Sequence, residues 1–215
     1  MNDEIGMAHM QQVSNTTFAP DRFGNPSEAL NLNGGFTQVP SGFYFNTPQF
    51  SITVWVYPRQ VGSSARIIDF GNGDPQDNII ITLYPSFAVI QGNAWPTYPT
   101  SSVQLVMEQW QFLVCTYDGS TLSIYINGSL TISQPYSIVM SDSLLRVNNY
   151  VGKSCDPPNG YSFSYLDELM FFNVSLTQKQ IENLMMLTSN TCTQAFTTTA
   201  ASTTKSQTTA APGNT

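Results

Sequence analysis

Trp110-Gln111-Phe112-Leu113-Val114-Cys115-Thr116-Tyr117-Asp118-Gly119-Ser120-Thr121-Leu122-Ser123-Ile124-Tyr125-Ile126-Asn127-Gly128-Ser129-Leu130-Thr131-Ile132 carries three apolar runs separated by two turn dipeptides. Asp118-Gly119 and Asn127-Gly128 are hairpin signals, because a type I′ turn needs positive φ at two successive residues. Leu122, Ile124 and Ile126 recur every second residue and so share one face of an extended strand. Leu130 and Ile132 are expected to continue that face after the second turn. The stretch reads as a three-stranded antiparallel meander.

The same period of two runs outward in both directions. In Ser51-Ile52-Thr53-Val54-Trp55-Val56-Tyr57 the aliphatic residues hold one face, and Trp55 and Tyr57 hold the other. A strand apolar on both faces is expected to be central and covered on both sides. Residues 65–70, 78–84, 87–91, 145–151 and 165–173 are further strand-like runs. One segment reads as a helix: Thr177 and Gln180 have capping-box spacing, and Ile181, Leu184, Met185 and Leu187 form a short apolar stripe. Many short strands and one small C-terminal helix predict an all-β, two-sheet antiparallel β-sandwich, with Trp55 and Trp110 expected in its core.

Five pieces of this pattern resemble laminin-G-like jelly rolls of the concanavalin A-like lectin/glucanase superfamily. They are Phe50–Pro58, Trp110–Gly119, Tyr125–Gly128, Val151-Gly152, and Tyr165–Asn173 followed by Leu176-Thr177 to Ile181. They occur in the family's order, and residues 21–35 are similar to its opening segment. Two departures stand out: Ser164 precedes the Tyr165-Leu166-Asp167 stretch where Gly is usual, and Met170 replaces an Arg. The resemblance implies two antiparallel sheets packed face to face with Greek-key connections.

Composition narrows the function. Seven Lys and Arg against fourteen Asp and Glu leave a net charge of -7, which excludes a phosphate-tracking basic surface and hence nucleic acid. Charged residues make up only 10%, and polarity comes instead from 23 Thr, 23 Ser and 17 Asn. No run reaches the roughly 18–20 apolar residues of a membrane span. Residues 193–215 contain nine Thr and no Leu, Ile or Val, and are expected to be a disordered, mucin-like linker or tail. Residues 18–192 then form the sandwich, and 1–17 an N-terminal extension or its start. Sequons at Asn15, Asn127 and Asn173 and the Thr-rich tail favour an extracellular, glycosylated setting. Met1–Gln12 shows no signal peptide, so this reading takes the chain as a fragment or as exported indirectly.

The resembling superfamily includes glucanases, so the resemblance leaves both catalysis and binding open. A retaining glycosidase needs two carboxyls about 5–5.5 Å apart. Asp167 and Glu168 are adjacent and are expected to point to opposite faces of a strand, anchoring structure rather than forming a catalytic pair. The one histidine, His9, lies outside the matched pattern, which leaves no nucleophile–base constellation. Asp69, Asn72, Asp74 and Asp77 fall in a ten-residue glycine-bearing loop; they read either as hard oxygen ligands for calcium or as a polar turn. No other cofactor is implied. Trp95 and Tyr98 lie in a Pro-broken loop and either stack on a glycan or pack over a sheet edge. In the resembling fold the chain end returns beside the 152–160 loop, which implies a Cys155–Cys192 disulfide with Cys115 a buried free thiol. The alternative is three reduced thiols. Two functions stand: a non-catalytic extracellular module recognising a glycan or protein ligand, or a structural spacer in a larger protein.

Overall fold

The computed structural model describes residues 10, 12–60, 62, 64–73, 76–90, 97–137, 143–155 and 160–187. Eleven strands and one helix fall within them. These are β1 (Gln12–Ala19), β2 (Ala29–Val39), β3 (Phe50–Gln60), β4 (Arg66–Gly71), β5 (Ile79–Thr82) and β6 (Phe87–Val89). They continue with β7 (Gln111–Tyr117), β8 (Thr121–Ile126), β9 (Ser129–Pro135), β10 (Asn148–Val151), β11 (Ser162–Phe172) and α1 (Gln178–Met186).

All pairings are antiparallel, and the strand order is β6-β5-β4-β10-β2-β11-β3-β7-β8-β9 with β1 beside β2. The eleven-residue β2 is shared: residues 37–39 pair with β10, and residues 30–35 pair with β11. Beyond them β10 pairs with β4, and β11 with β3. The sheet therefore folds over along β2, and its two halves close on one core as a jelly-roll β-sandwich. Phe50, Ile52 and Ile124 from one half meet Ile68, Phe70 and Phe87 from the other there, all essentially inaccessible to water.

The meander forms as its alternation predicts, with two differences. Asn127 and Gly128 both have positive φ (49° and 77°), as a type I′ turn requires, whereas only Gly119 is positive in the first turn (98°). That is the φ signature of type II′. Asp118 closes the turn another way, its Oδ1 accepting from the main-chain N–H groups of Ser120 and Thr121. Leu130 does not continue the buried face. A bulge after Ile124 pairs Tyr125 with Leu130, and the extra residue rotates Leu130 outward to 53% exposure, while Ile132 still reaches the core.

β3 is central, between β11 and β7, and Ile52, Val54 and Val56 are buried. Trp55 and Trp110 are half-buried, not core residues. Both stand on the outer face of the sheet, and only Trp55 is covered, by α1 and its approach. Leu176 and Ile181 close over Phe112 and Val114, with Trp55, Tyr125, Leu184 and Met185 packed around them. Thr177 and Gln180 form the expected capping box. Ser51 fixes the approach: its hydroxyl donates to Val174 O (2.8 Å) and accepts from Leu176 N (2.9 Å).

Candidate functional site

Past the end of α1 the outer face of β11, β3 and β7 is open and aromatic. Tyr165 lies directly across from Tyr57, and their rings stack with centroids 5.2 Å apart at 18°. Trp110 meets Tyr57 edge-on at 5.6 Å and lies 6.4 Å from Tyr165. Two residues along β3, Arg59 places its guanidinium 4.7 Å from the Tyr165 ring centroid. Its Nη2 donates to Asn31 Oδ1 (2.8 Å) and Leu32 O (3.0 Å). All four side chains are half-buried. Stacked cross-strand aromatics of this kind stabilise a sheet by about 0.5–1.5 kcal/mol per pair, which accounts for the rings. It does not account for the polar groups they carry. Among the described residues the Tyr57 and Tyr165 hydroxyls, the Trp110 indole N–H and Arg59 Nη1 have no hydrogen-bond partner. None is buried away from water. Flat apolar edges set with unpaired hydrogen-bonding groups are what a binding surface offers. Sequence reasoning missed this row. Alternation put Tyr57 on the outer face, but the Tyr57–Tyr165 alignment needs a register between distant strands.

The acidic groups are committed elsewhere. β11 is bulged between Asp167 and Met170, and Glu168 takes a left-handed φ of 48°. The two adjacent carboxylates, expected on opposite faces, therefore turn toward the same partner. Arg22 donates from Nη1 to Asp167 (3.1 Å) and from Nη2 to Glu168 (3.0 Å) and Leu187 O (2.8 Å). The same guanidinium stacks on Phe23 and Trp55, at 4.3 and 4.6 Å from the ring centroids. This clasp ties the β1–β2 turn to the end of α1, an anchoring role. Burial, reinforced by Glu168, pushes the Asp167 carboxyl up to about 6 despite Arg22.

Asp69 is fully enclosed at 1% exposure. Oδ1 accepts from Asn78 Nδ2 (2.6 Å), and Oδ2 from Cys155 N (2.9 Å) and Ser154 Oγ (3.3 Å). Burial raises its pKa against these donors and Arg66. Asn78 in turn lies flush on Gly71, where a β-carbon would come within 2.1 Å of it. Asn72 Oδ1 accepts from Val147 N (3.1 Å), and Asp77 O accepts from Nε of the buried Arg146 (3.0 Å). Asp74 lies outside the described residues. Among those that are described, no three His, Cys, Asp or Glu side chains are placed to hold a metal ion. The hydrogen bonds of Asp69 and Asn72 tie this loop to the segments on either side of β10.

Trp95 and Cys192 also lie outside the described residues, as does the Thr-rich 193–215 segment. Tyr98 packs half-buried on Ile80, Ala88 and Ile90, the outer side of the other half of the sheet. Cys115 is a buried thiol in β7; Cys155 is a half-buried thiol whose sulfur donates to Asn148 O at 3.3 Å. Asn15, Asn127 and Asn173 are all exposed. Asn15 spends its Nδ2 on Asn33 O (2.7 Å), whereas Asn127 is held through its oxygen, which accepts from Phe112 N (2.9 Å).

Among the described residues no helix is long and apolar enough to cross a membrane. No curated protein matches the chain in sequence. In three dimensions it is similar to domain 4 of an extracellular GH43 arabinanase from Geobacillus stearothermophilus, in complex with arabinotriose. That match has 18% identity and a TM-score of 0.63, and covers 83% of this chain and all of that domain. The binding domain of Paraclostridial Mosquitocidal Protein 1 gives 15% identity and TM-score 0.63, over 86% of this chain and 48% of that one. A Trypanosoma rangeli sialidase mutant with trans-sialidase activity gives 15% and 0.57, over 81% of this chain but 29% of the enzyme. At such identities the likeness is one of fold. A family model described as the concanavalin A-like lectin/glucanases superfamily, laminin-G type, matches residues 31–182, well over half the chain, and the chain belongs to that family.

Proposed function

We propose that this chain is a non-catalytic recognition module that binds a glycan on the open outer face of β11, β3 and β7. The observation that carries the reading is the row Trp110–Tyr57–Tyr165–Arg59. Its rings offer apolar surface to sugar C–H groups, and among the described residues its two hydroxyls, its indole N–H and Arg59 Nη1 have no hydrogen-bond partner. The non-catalytic part of the reading is supported by the engagement of three carboxylates elsewhere: Asp167 and Glu168 share Arg22, and Asp69 is enclosed by its own donors. The fold neighbours support binding as the role, since one is an arabinanase domain in complex with arabinotriose and another a toxin's binding domain. The exposed sequons and the Thr-rich segment fit an extracellular module carried on a glycosylated stalk. A glycan array followed by calorimetry on the best ligand tests the reading. Trp110→Ala is expected to weaken binding at least about tenfold. Unchanged binding by a folded Trp110→Ala would place the site off this row, and no ligand on the array would favour a spacer without a ligand of its own.

A further inference from the structure

We infer that the ligand of this row is an acidic sugar, one whose carboxylate is received by Arg59. The inference rests on the glycan-binding reading above and adds the ligand's charge. Among the described residues Arg22 has two carboxylates and Arg66 has Asp69, whereas Arg59 has no carboxylate within ion-pair distance. Glu108 donates from its main-chain N to Pro58 O at 2.8 Å, but its side chain makes no ion pair with Arg59. The guanidinium is nevertheless fixed in place. Nη2 is tied to Asn31 and Leu32, the plane lies over Tyr165, and Nε is buried without an acceptor. Only Nη1 remains to be satisfied from outside. An anchored, uncompensated guanidinium loses little freedom when it meets a carboxylate, the arrangement in which charge-assisted hydrogen bonds count most.

The rest of the row agrees. Two of its four open groups, Nη1 and the Trp110 indole N–H, can only donate, so the matching ligand is rich in acceptors. The net charge of -7 does not forbid an anion here. At physiological ionic strength fields fade within about 8 Å, so the local guanidinium dominates for a ligand carrying one charge per sugar. Against an extended polyphosphate the same overall charge is repulsive, and among the described residues no second cation sits on the row.

Calorimetry with tri-galacturonic acid and with its methyl ester separates charge from shape without touching the protein. The acid is expected to bind about tenfold or more tightly than the ester, and added salt should narrow that gap. Arg59→Gln should abolish the preference, while Arg59→Lys keeps part of it. Equal affinity for acid and ester, with both lost in Trp110→Ala, overturns the acidic-ligand inference and leaves glycan binding standing. Binding of neither probe overturns the inference as well; the array result then judges the binding reading separately. Acid binding unchanged in both Arg59→Gln and Trp110→Ala places the site elsewhere and overturns both.

Discussion

Asp69 shows how much one enclosed side chain can hold. Its two oxygens satisfy buried donors from Asn78, Ser154 and Cys155, joining the 72–78 loop to the segment after β10. Asp69→Ala leaves those donors unpaired inside the protein, so we expect a loss of about 2–4 kcal/mol by chemical denaturation. A loss under about 1 kcal/mol would mean that water replaces the carboxylate. Asp167 behaves differently with pH. Its carboxyl sits at about 6 in the folded chain against 3.8 for the free group. The folded state therefore holds this proton more tightly. The resulting stabilisation is complete below about pH 4 and is lost as pH rises through about 6. The stability of the wild type relative to Asp167→Asn should fall across that window in matched denaturation curves. A difference that is flat with pH would refute the assignment.

The elements divide into those whose reason is local and those whose reason is not. Asn127-Gly128 and the Thr177–Gln180 capping box lie within a few residues, and both form as the sequence reads. The alternation of Ile52, Val54 and Val56, and of Leu122, Ile124 and Ile126, likewise marks their buried faces correctly. Alternation does not say what covers the opposite face. Trp55 is covered by α1 and by the Arg22 guanidinium stacked on it, whereas the ring contacts of Trp110 are with Tyr57 and Tyr165. The two bulges were illegible for another reason. Neither Glu168 nor Leu130 is a residue type that announces irregular backbone, and a bulge is set by pairing with a neighbour strand. The helix itself is held by burial: Ile181 is inaccessible. Ile181→Ala should cost about 2–5 kcal/mol and raise solvent quenching of Trp55 fluorescence. Unchanged stability would show that α1 does not dock as described.

At the scale of the molecule, one sheet folded along β2 puts the alternating aliphatic faces of β3, β5 and β8 inside and leaves two outer faces with different fates. One is occupied by Tyr98 and its neighbours, and the other is half roofed by α1 and half left as an aromatic row. Stability and recognition should therefore separate. Phe50→Ala, in the common core, is expected to cost about 3–5 kcal/mol. Trp110→Ala, half-exposed on the row, should cost only about 1–2 kcal/mol while removing ligand binding. The most direct test of that division is a titration of the uniformly 15N-labelled chain with the best glycan ligand, following the tryptophan indole N–H resonances. The account predicts a progressive shift of the Trp110 indole signal with the Trp55 signal unmoved beneath α1; perturbation of other sites with Trp110 unchanged would contradict it.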